Sequence, residues 1–362
     1  MKVLILVENY PDLDGGISLY YVHTRSKYYF EHGIDVTVLN FSTKTKYIID
    51  NIKVIGLDDY IKNKDNYDLL ILHAANIKHH YNFLKRYGKR FKKHIFFFHG
   101  HEVLMVNKVY SKPYSYMRKR CLIFRNIYDY LKLKIWKSYF KRMNFKSYYI
   151  FVSEWMKNEF LKWTKINYDI IKKHSFITYN SVGNVFTDKK YDETVEKEYD
   201  FITIRGNIDG SKYCVDIVNE LAKNNPKLKF LLIGKGNFFN YNKKAKNLEY
   251  LEKNLSHNEI IMQLNKSKCA LMPTRTDAQG LMMCEMATFG IPLITSNISV
   301  CHEVLDSFDN VLFIDNENLN INLNDIYAKV KKSKIKKNLK YSLNTTGKKE
   351  ITILERIHNG LV

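Results

Sequence analysis

Short apolar runs separated by helix-length stretches recur along this 362-residue chain, and they fall into two series. Strand candidates in the first lie at residues 2–7, 35–40, 69–73, 95–98 and 149–152. Those in the second lie at 201–204, 229–233, 270–272, 293–295 and 311–314. Alternating strand and helix patterns argue for parallel sheets covered by helices on both faces. Strands buried on both faces read as unbroken apolar runs, as Val3-Leu4-Ile5-Leu6-Val7 does. We expect two doubly wound, Rossmann-like α/β domains, 1–190 and 191–340, with 341–362 a C-terminal helix returning to the first. The acidic segment 192–200 reads as the linker, and the Lys-rich stretch 329–349 as one or two solvated helices. Ligands of open α/β sheets sit beyond the carboxyl ends of the strands. Two such domains facing a central cleft would hold one substrate on each wall.

Charge adds a second constraint. The chain carries 58 Lys and Arg against 37 Asp and Glu, a formal net charge of +21. From 85 to 146 the basic residues crowd together, opposed only by Glu102 and Asp129. Such a field attracts an anionic surface: nucleic acid, lipid headgroups or a phosphorylated acceptor. Between 114 and 149 basic and aromatic residues interleave, with Arg118, Arg120 and Trp136 among them. That mixture suits a helix lying on an anionic membrane, a single-stranded nucleic acid surface, or a solvated helix with an apolar core face. No RRM, KH or zinc-finger signature accompanies the charge, so nucleic acid is not the expected partner. No apolar run has the length of a membrane span, and the first residues are too soon interrupted for a signal peptide. The five cysteines show no metal-binding or disulfide spacing, which fits a cytoplasmic chain with free thiols.

The densest chemistry lies in 272–296, MPTRTDAQGLMMCEMATFGIPLITS. It reads as a strand end, a polar turn holding Asp277 and Gly280, a short helix carrying Glu285, and a stop at Gly290 and Pro292. Free N–H groups at the helix start, Gly280 to Met282, favour an anion. A carboxylate is a poor phosphate ligand, so two acids beside that end suggest a ligand with both phosphate and hydroxyls, such as a nucleotide sugar. Arg205 ends another strand and Lys212 follows it; a guanidinium fork and an ammonium at a sheet mouth suit a diphosphate. Gly234-Lys235-Gly236 follows a third strand, either as a plain turn or as backbone approaching the nucleotide.

In the first half, Gly15-Gly16 after the first strand serves equally as a turn or as a close approach to phosphate. The triplet Asp12-Leu13-Asp14 is a solvated loop rather than a metal site. His99 ends the strand 95–98, where its ring can bond a sugar hydroxyl or stabilise developing charge. His101 is a second candidate there, while His79-His80 reads as surface and Glu102 has no evident role.

On these residues the chain resembles the retaining glycosyltransferases of family 4, which have the GT-B fold, including those of bacterial capsule and lipopolysaccharide assembly. The elements are Gly15-Gly16, His99, Arg205 with Lys212, Gly234-x-Gly236 and Asp277–Glu285, and they span nearly the whole chain. The resemblance implies that Gly16, Arg205, Lys212, Gly234, Gly280, Leu281, Met282 and Glu285 bind the donor, a nucleoside diphosphate sugar. His99 and Asp277 would touch the transferred sugar, and Glu285 the ribose. Gly15, His101, Arg118, Arg120 and Trp136 would lie on the acceptor or membrane side. It further implies retention of anomeric configuration, no cofactor and no metal, since cations and a helix end take the metal's place. The acceptor would be a glycan or polyprenyl-linked glycan, at the inner face of the cell membrane.

One departure stands out: family members usually have Glu, Gly, Phe, Gly where this chain has Asp277, Ala278, Gln279, Gly280. Rival readings are a nucleic-acid-binding protein, a GT-B relative acting on the nucleotide sugar without an acceptor, and a binding subunit that has lost activity.

Overall fold

The computed structural model describes residues 1–13, 18–63, 65–117, 122–331 and 336–362. Two compact units emerge. The first comprises 1–106, 126–181 and 343–362, and the second 107–125 and 182–342. The segment expected as a linker is part of the second unit: the Tyr191 hydroxyl donates to Ser267 O, and Glu198 N to Lys266 O.

The first unit is built on eight strands: β1 (Lys2–Val7), β2 (Asp35–Asn40), β3 (Tyr47–Ile49), β4 (Ile52–Ile55), β5 (Leu69–His73), β6 (His94–Phe98), β7 (Ser147–Phe151) and β8 (Ser175–Ile177). They run in the order β3-β4-β2-β1-β5-β6-β7-β8, and every pair is parallel except β3 with β4. Val3 to Val7 are fully buried, as the unbroken run requires. The antiparallel β3–β4 pair escaped the strand pattern because it is short and half exposed. Its signal was Asp50-Asn51, whose backbones both take positive φ, the conformation of a two-residue hairpin turn.

The second unit holds six parallel strands: β9 (Tyr199–Asn207), β10 (Phe230–Lys235), β11 (Leu248–Leu251), β12 (Ser267–Met272), β13 (Leu293–Ser296) and β14 (Val311–Ile314), in the order β11-β10-β9-β12-β13-β14. Both sheets are therefore Rossmann-like and doubly wound.

The Lys-rich tail is less solvated than its composition suggests. Helix Leu343–His358 buries Ile353, Leu354 and Ile357 against the first unit. It packs on helix Tyr20–Glu31 at Gly347, where a Cβ would meet the Tyr28 ring at 2.6 Å. Beside that contact Glu350 takes Arg25 Nε on both oxygens (3.0 and 3.1 Å), the Tyr29 hydroxyl (2.7 Å) and Thr178 Oγ1 (3.0 Å). Arg25 and Glu350 are both buried, so this network ties helix Leu343–His358 to helix Tyr20–Glu31.

Candidate functional site

In the second unit, chemistry gathers at the carboxyl ends of β9 and β12. Arg205, near the end of β9, is buried and donates from Nη2 to Pro273 O (2.5 Å); its Nε has no partner among the described residues. Burial pushes its pKa down, and the Asp277 carboxylate is among the nearby charges that oppose this. A guanidinium has five donors, and leaving a buried one so underused is costly unless a ligand completes it.

After β9 the chain makes the turn Ser211–Tyr213. The half-buried Lys212 ammonium lies over the Tyr110 and Tyr213 rings, and no hydrogen bond or ion pair joins it among the described residues. Its carbonyl accepts from Arg275 N (2.9 Å) and Thr274 Oγ1 (3.1 Å), which seats the turn against the loop after β12. Arg275, by contrast, is consumed by Asp216 (2.9 and 2.7 Å) and holds the scaffold.

Asp277 Oδ1 accepts from Ala278 N (2.8 Å) and Gln279 N (3.3 Å), so one carboxylate oxygen folds the loop, and Oδ2 takes no hydrogen bond among the described residues. Gly280 follows with φ +72° and starts helix Leu281–Phe289 with no side-chain cap. Its carbonyl accepts from Met283 N and Cys284 N, whereas Leu281 N and Met282 N have no protein acceptor among the described residues. Gln279, where an aromatic is usual, is buried beneath the loop against Cys284 rather than presented outward.

One turn on, Glu285 is buried and accepts from Gly183 N (3.3 Å), with His257 Nε2 at 3.9 Å. Burial pushes its pKa up to about 7. Gly183 permits this closeness, since a Cβ there would lie 2.7 Å from the His257 ring. Neither Gly183 nor His257 was visible in the sequence, because chain separation hides such partners. Gly234 has a structural reason of its own: a Cβ would stand 2.2 Å from Arg205 O, where the β9–β10 register shifts.

In the first unit, His99 follows β6 and His73 ends β5. His73 Nδ1 and His99 Nε2 lie 3.0 Å apart, and His73 Nε2 is buried with no partner among the described residues. Burial pushes both pKa values well below the usual range, so both rings are neutral and one donates. A buried orphan N–H is rarer than an orphan lone pair. His73 therefore donates from Nδ1, which leaves the His99 proton on Nδ1. Tyr21 packs on the His99 ring, 4.7 Å between centroids. Glu102, unassigned from sequence, accepts from His99 N (2.8 Å) and Gly100 N (2.6 Å) and shapes the loop that presents His99. His101 is exposed, and its carbonyl accepts from Lys132 Nζ (2.7 Å).

Two sequence expectations change. Trp136 is 1% exposed inside an aromatic cluster with Phe96, Tyr139 and Phe140, so it cannot contact a membrane or acceptor. Its helix, Leu122–Met143, has two faces, and Trp136 shares the inner one with Asp129, Lys132, Leu133 and Phe140. His80 is fully buried and bonded to Leu6 O rather than lying on the surface, and His79 is held by Glu8. Gly15, Gly16, Arg118, Arg120 and the Asp14 of the acidic triplet lie outside the described residues. Among the described residues no group of three or more His, Cys, Asp or Glu is placed to hold a metal.

Residues 186–347, less than half of the chain, match the family described as glycosyl transferases group 1. No curated protein sequence matches. Solved structures agree along nearly the full length. They include a glycosyltransferase from Rickettsia africae (14% identity, 98% of each chain covered, TM-score 0.69). A sucrose-phosphate synthase from Thermosynechococcus elongatus is similar too (12%, 99% of this chain and 97% of that one, TM-score 0.66). So is Anabaena HepE, in complex with UDP and glucose (12%, 100% and 99%, TM-score 0.64). With two Rossmann-like units and these neighbours, the chain has the GT-B fold, and its second unit carries the sequence match to glycosyl transferases group 1.

Proposed function

We propose that this protein transfers a sugar from a nucleoside diphosphate sugar to a hydroxyl of an acceptor glycan, with retention of anomeric configuration. The observation that carries the reading is Arg205, a buried guanidinium with most of its donors unused among the described residues, beside a helix whose first N–H groups have no acceptor there. The diphosphate would take Arg205, Lys212 and the amides of Leu281 and Met282. Asp277 Oδ2 would accept from the sugar, Glu285 from the ribose, and His99 Nδ1–H would donate to the sugar. In transfer the bond from the anomeric carbon to the diphosphate oxygen breaks. The acceptor oxygen bonds that carbon, and its proton leaves with the diphosphate. Cations and helix amides hold the leaving charge without a metal. The match to group 1 transferases supports this reading, and so does the fold of HepE, whose complex holds UDP and glucose.

The outer face of helix Leu122–Met143 supports a membrane-borne acceptor. Ile123, Phe124, Ile127 and Leu131 are exposed by 68, 73, 50 and 52% over its first turns, and the exposed Lys134, Lys141 and Arg142 follow. An apolar wedge with adjoining cations suits the cytoplasmic, anionic leaflet. Among the described residues no helix is long and apolar enough to cross a membrane.

Incubation with radiolabelled nucleotide sugars and membrane extract tests the activity. Label entering a lipid or glycan fraction is the expected result, and release of free sugar alone would favour a hydrolase. In flotation assays, the protein should bind vesicles containing anionic lipid and not neutral ones. Phe124→Ser with Ile127→Ser should weaken that binding, and equal binding by this variant would remove the helix from the account.

A further inference from the structure

The strand order of the first unit reverses between β1 and β5: from β1 the chain passes to β2 on one side, then returns to β5 on the other. Such a switch point opens a crevice at the carboxyl ends of its two strands. Glu8 follows β1 there, and Asn76 and His79 follow β5.

These three residues form one built cluster. Glu8 Oε2 accepts from Asn76 Nδ2 (2.7 Å), and His79 Nδ1 lies 2.9 and 2.7 Å from the two Glu8 oxygens. Asn76 Oδ1 accepts from His79 N (2.8 Å), and Asn76 N donates to His80 Nδ1 (3.3 Å). Phe41 stacks on the His79 ring, 5.3 Å between centroids. The imidazole is thus fixed by a carboxylate, by its own backbone and by an aromatic face, yet it remains part-exposed. With its proton on Nδ1 toward Glu8, Nε2 presents a lone pair that nothing among the described residues takes up.

As a stabilising contact, a part-exposed pair of this kind contributes little to a fold. Stability alone would not require the Asn76 amide, a stacked ring and a place at the switch point. A carboxylate-held imidazole with a free Nε2 is instead suited to accept a hydrogen bond from a hydroxyl. The Glu8 carboxylate beside it disfavours an anion.

We infer that Glu8, Asn76 and His79 form a subsite for the acceptor's own sugar, with His79 Nε2 accepting from one of its hydroxyls and Glu8 selecting a neutral sugar over a phosphorylated one. This rests on the glycosyltransferase reading, and the test separates the two.

The probes are methyl glycosides of glucose, galactose, mannose and N-acetylglucosamine, with their 6-phosphates. They are titrated into the full chain with labelled histidine, and the His79 imidazole signal is assigned by its loss in His79→Gln. At least one neutral glycoside should move that signal, with its 6-phosphate binding about tenfold more weakly or worse through like-charge repulsion. Glu8→Gln should narrow that gap. If no glycoside moves the His79 signal, or phosphorylated sugars bind as well as neutral ones, the subsite is overturned. A parallel melting series with nucleoside diphosphates reports on the donor side. A nucleotide shift equal in wild type and His79→Gln leaves the enzyme reading intact whichever way the sugar titration falls. Its absence from wild type would count against the enzyme reading instead.

Discussion

At the scale of single residues, the ribose contact proposed for Glu285 would work against stability. Its folded pKa, near 7, exceeds the 4.5 of an unperturbed glutamate. The folded state therefore binds the proton more tightly than the unfolded one. The stabilisation this gives is complete below about pH 4.5 and is lost as pH rises through 7. At pH 8 the buried carboxylate burdens the fold, and Glu285→Gln should raise stability by about 3 kcal/mol. The same variant should bind donor less well, since an ionised carboxylate accepts two ribose hydroxyls better than an amide does. Wild-type donor affinity should accordingly climb with pH up to about 7 and then level. Chemical denaturation at pH 5 and pH 8, with nucleotide titrations at each, checks both halves. His73 allows a second test at this scale. His73→Asn can keep a donor near the Nδ1 position and should retain much of the activity. His73→Phe keeps the ring stack and should cost more in kcat than in KM. Equal loss in both variants would reduce His73 to packing.

At the scale of elements, the strand–turn–helix unit from β12 to helix Leu281–Phe289 was legible in sequence because its parts are contiguous. A strand, an Asp turn, a Gly start and a Gly-x-Pro stop fall within 25 residues, and local propensity and tertiary role agree there. The parts lying between elements were hidden. Gly183 and His257 reach Glu285 from distant segments, and Glu102 folds back on its own loop. The helix Leu122–Met143 was misjudged at Trp136 because both of its faces carry apolar and basic residues. The positions Asp129, Lys132, Leu133, Trp136, Tyr139 and Phe140, spaced at helical period, separate the core face from the outer one. Gly234 provides the prediction for elements. In Gly234→Ala the new Cβ would strike the Arg205 carbonyl, which is backbone and cannot rotate away. The β9–β10 contact must then open, costing about 1–3 kcal/mol as overpacking does. Arg205 should shift with it, so the variant should lose nucleotide binding as well as melting temperature.

At the scale of the whole molecule, sheet class and the two-unit plan followed from apolar runs in two series. The short strands β3, β4, β8 and β11, all at or beside sheet edges, did not, since edges bury little and pattern weakly. Nor does sequence reveal the buried Arg25–Glu350 pair, whose members stand 325 positions apart. Removing one partner from a buried pair strands the other charge. Glu350→Ala should therefore destabilise the first unit by about 3–5 kcal/mol, seen as a lowered midpoint in denaturant. The central claim is that Arg205 and the open helix start are held ready for a diphosphate. The most direct measurement is a melting series on wild type and Arg205→Met with UDP, GDP, ADP and CDP. One nucleotide at 100 times its Kd should stabilise wild type by about 2.7 kcal/mol. The effect should vanish in Arg205→Met, whose ligand-free melting temperature stays level or rises because an underpaired buried cation is gone. A wild type indifferent to all four nucleotides, or a variant that responds as wild type does, would contradict it.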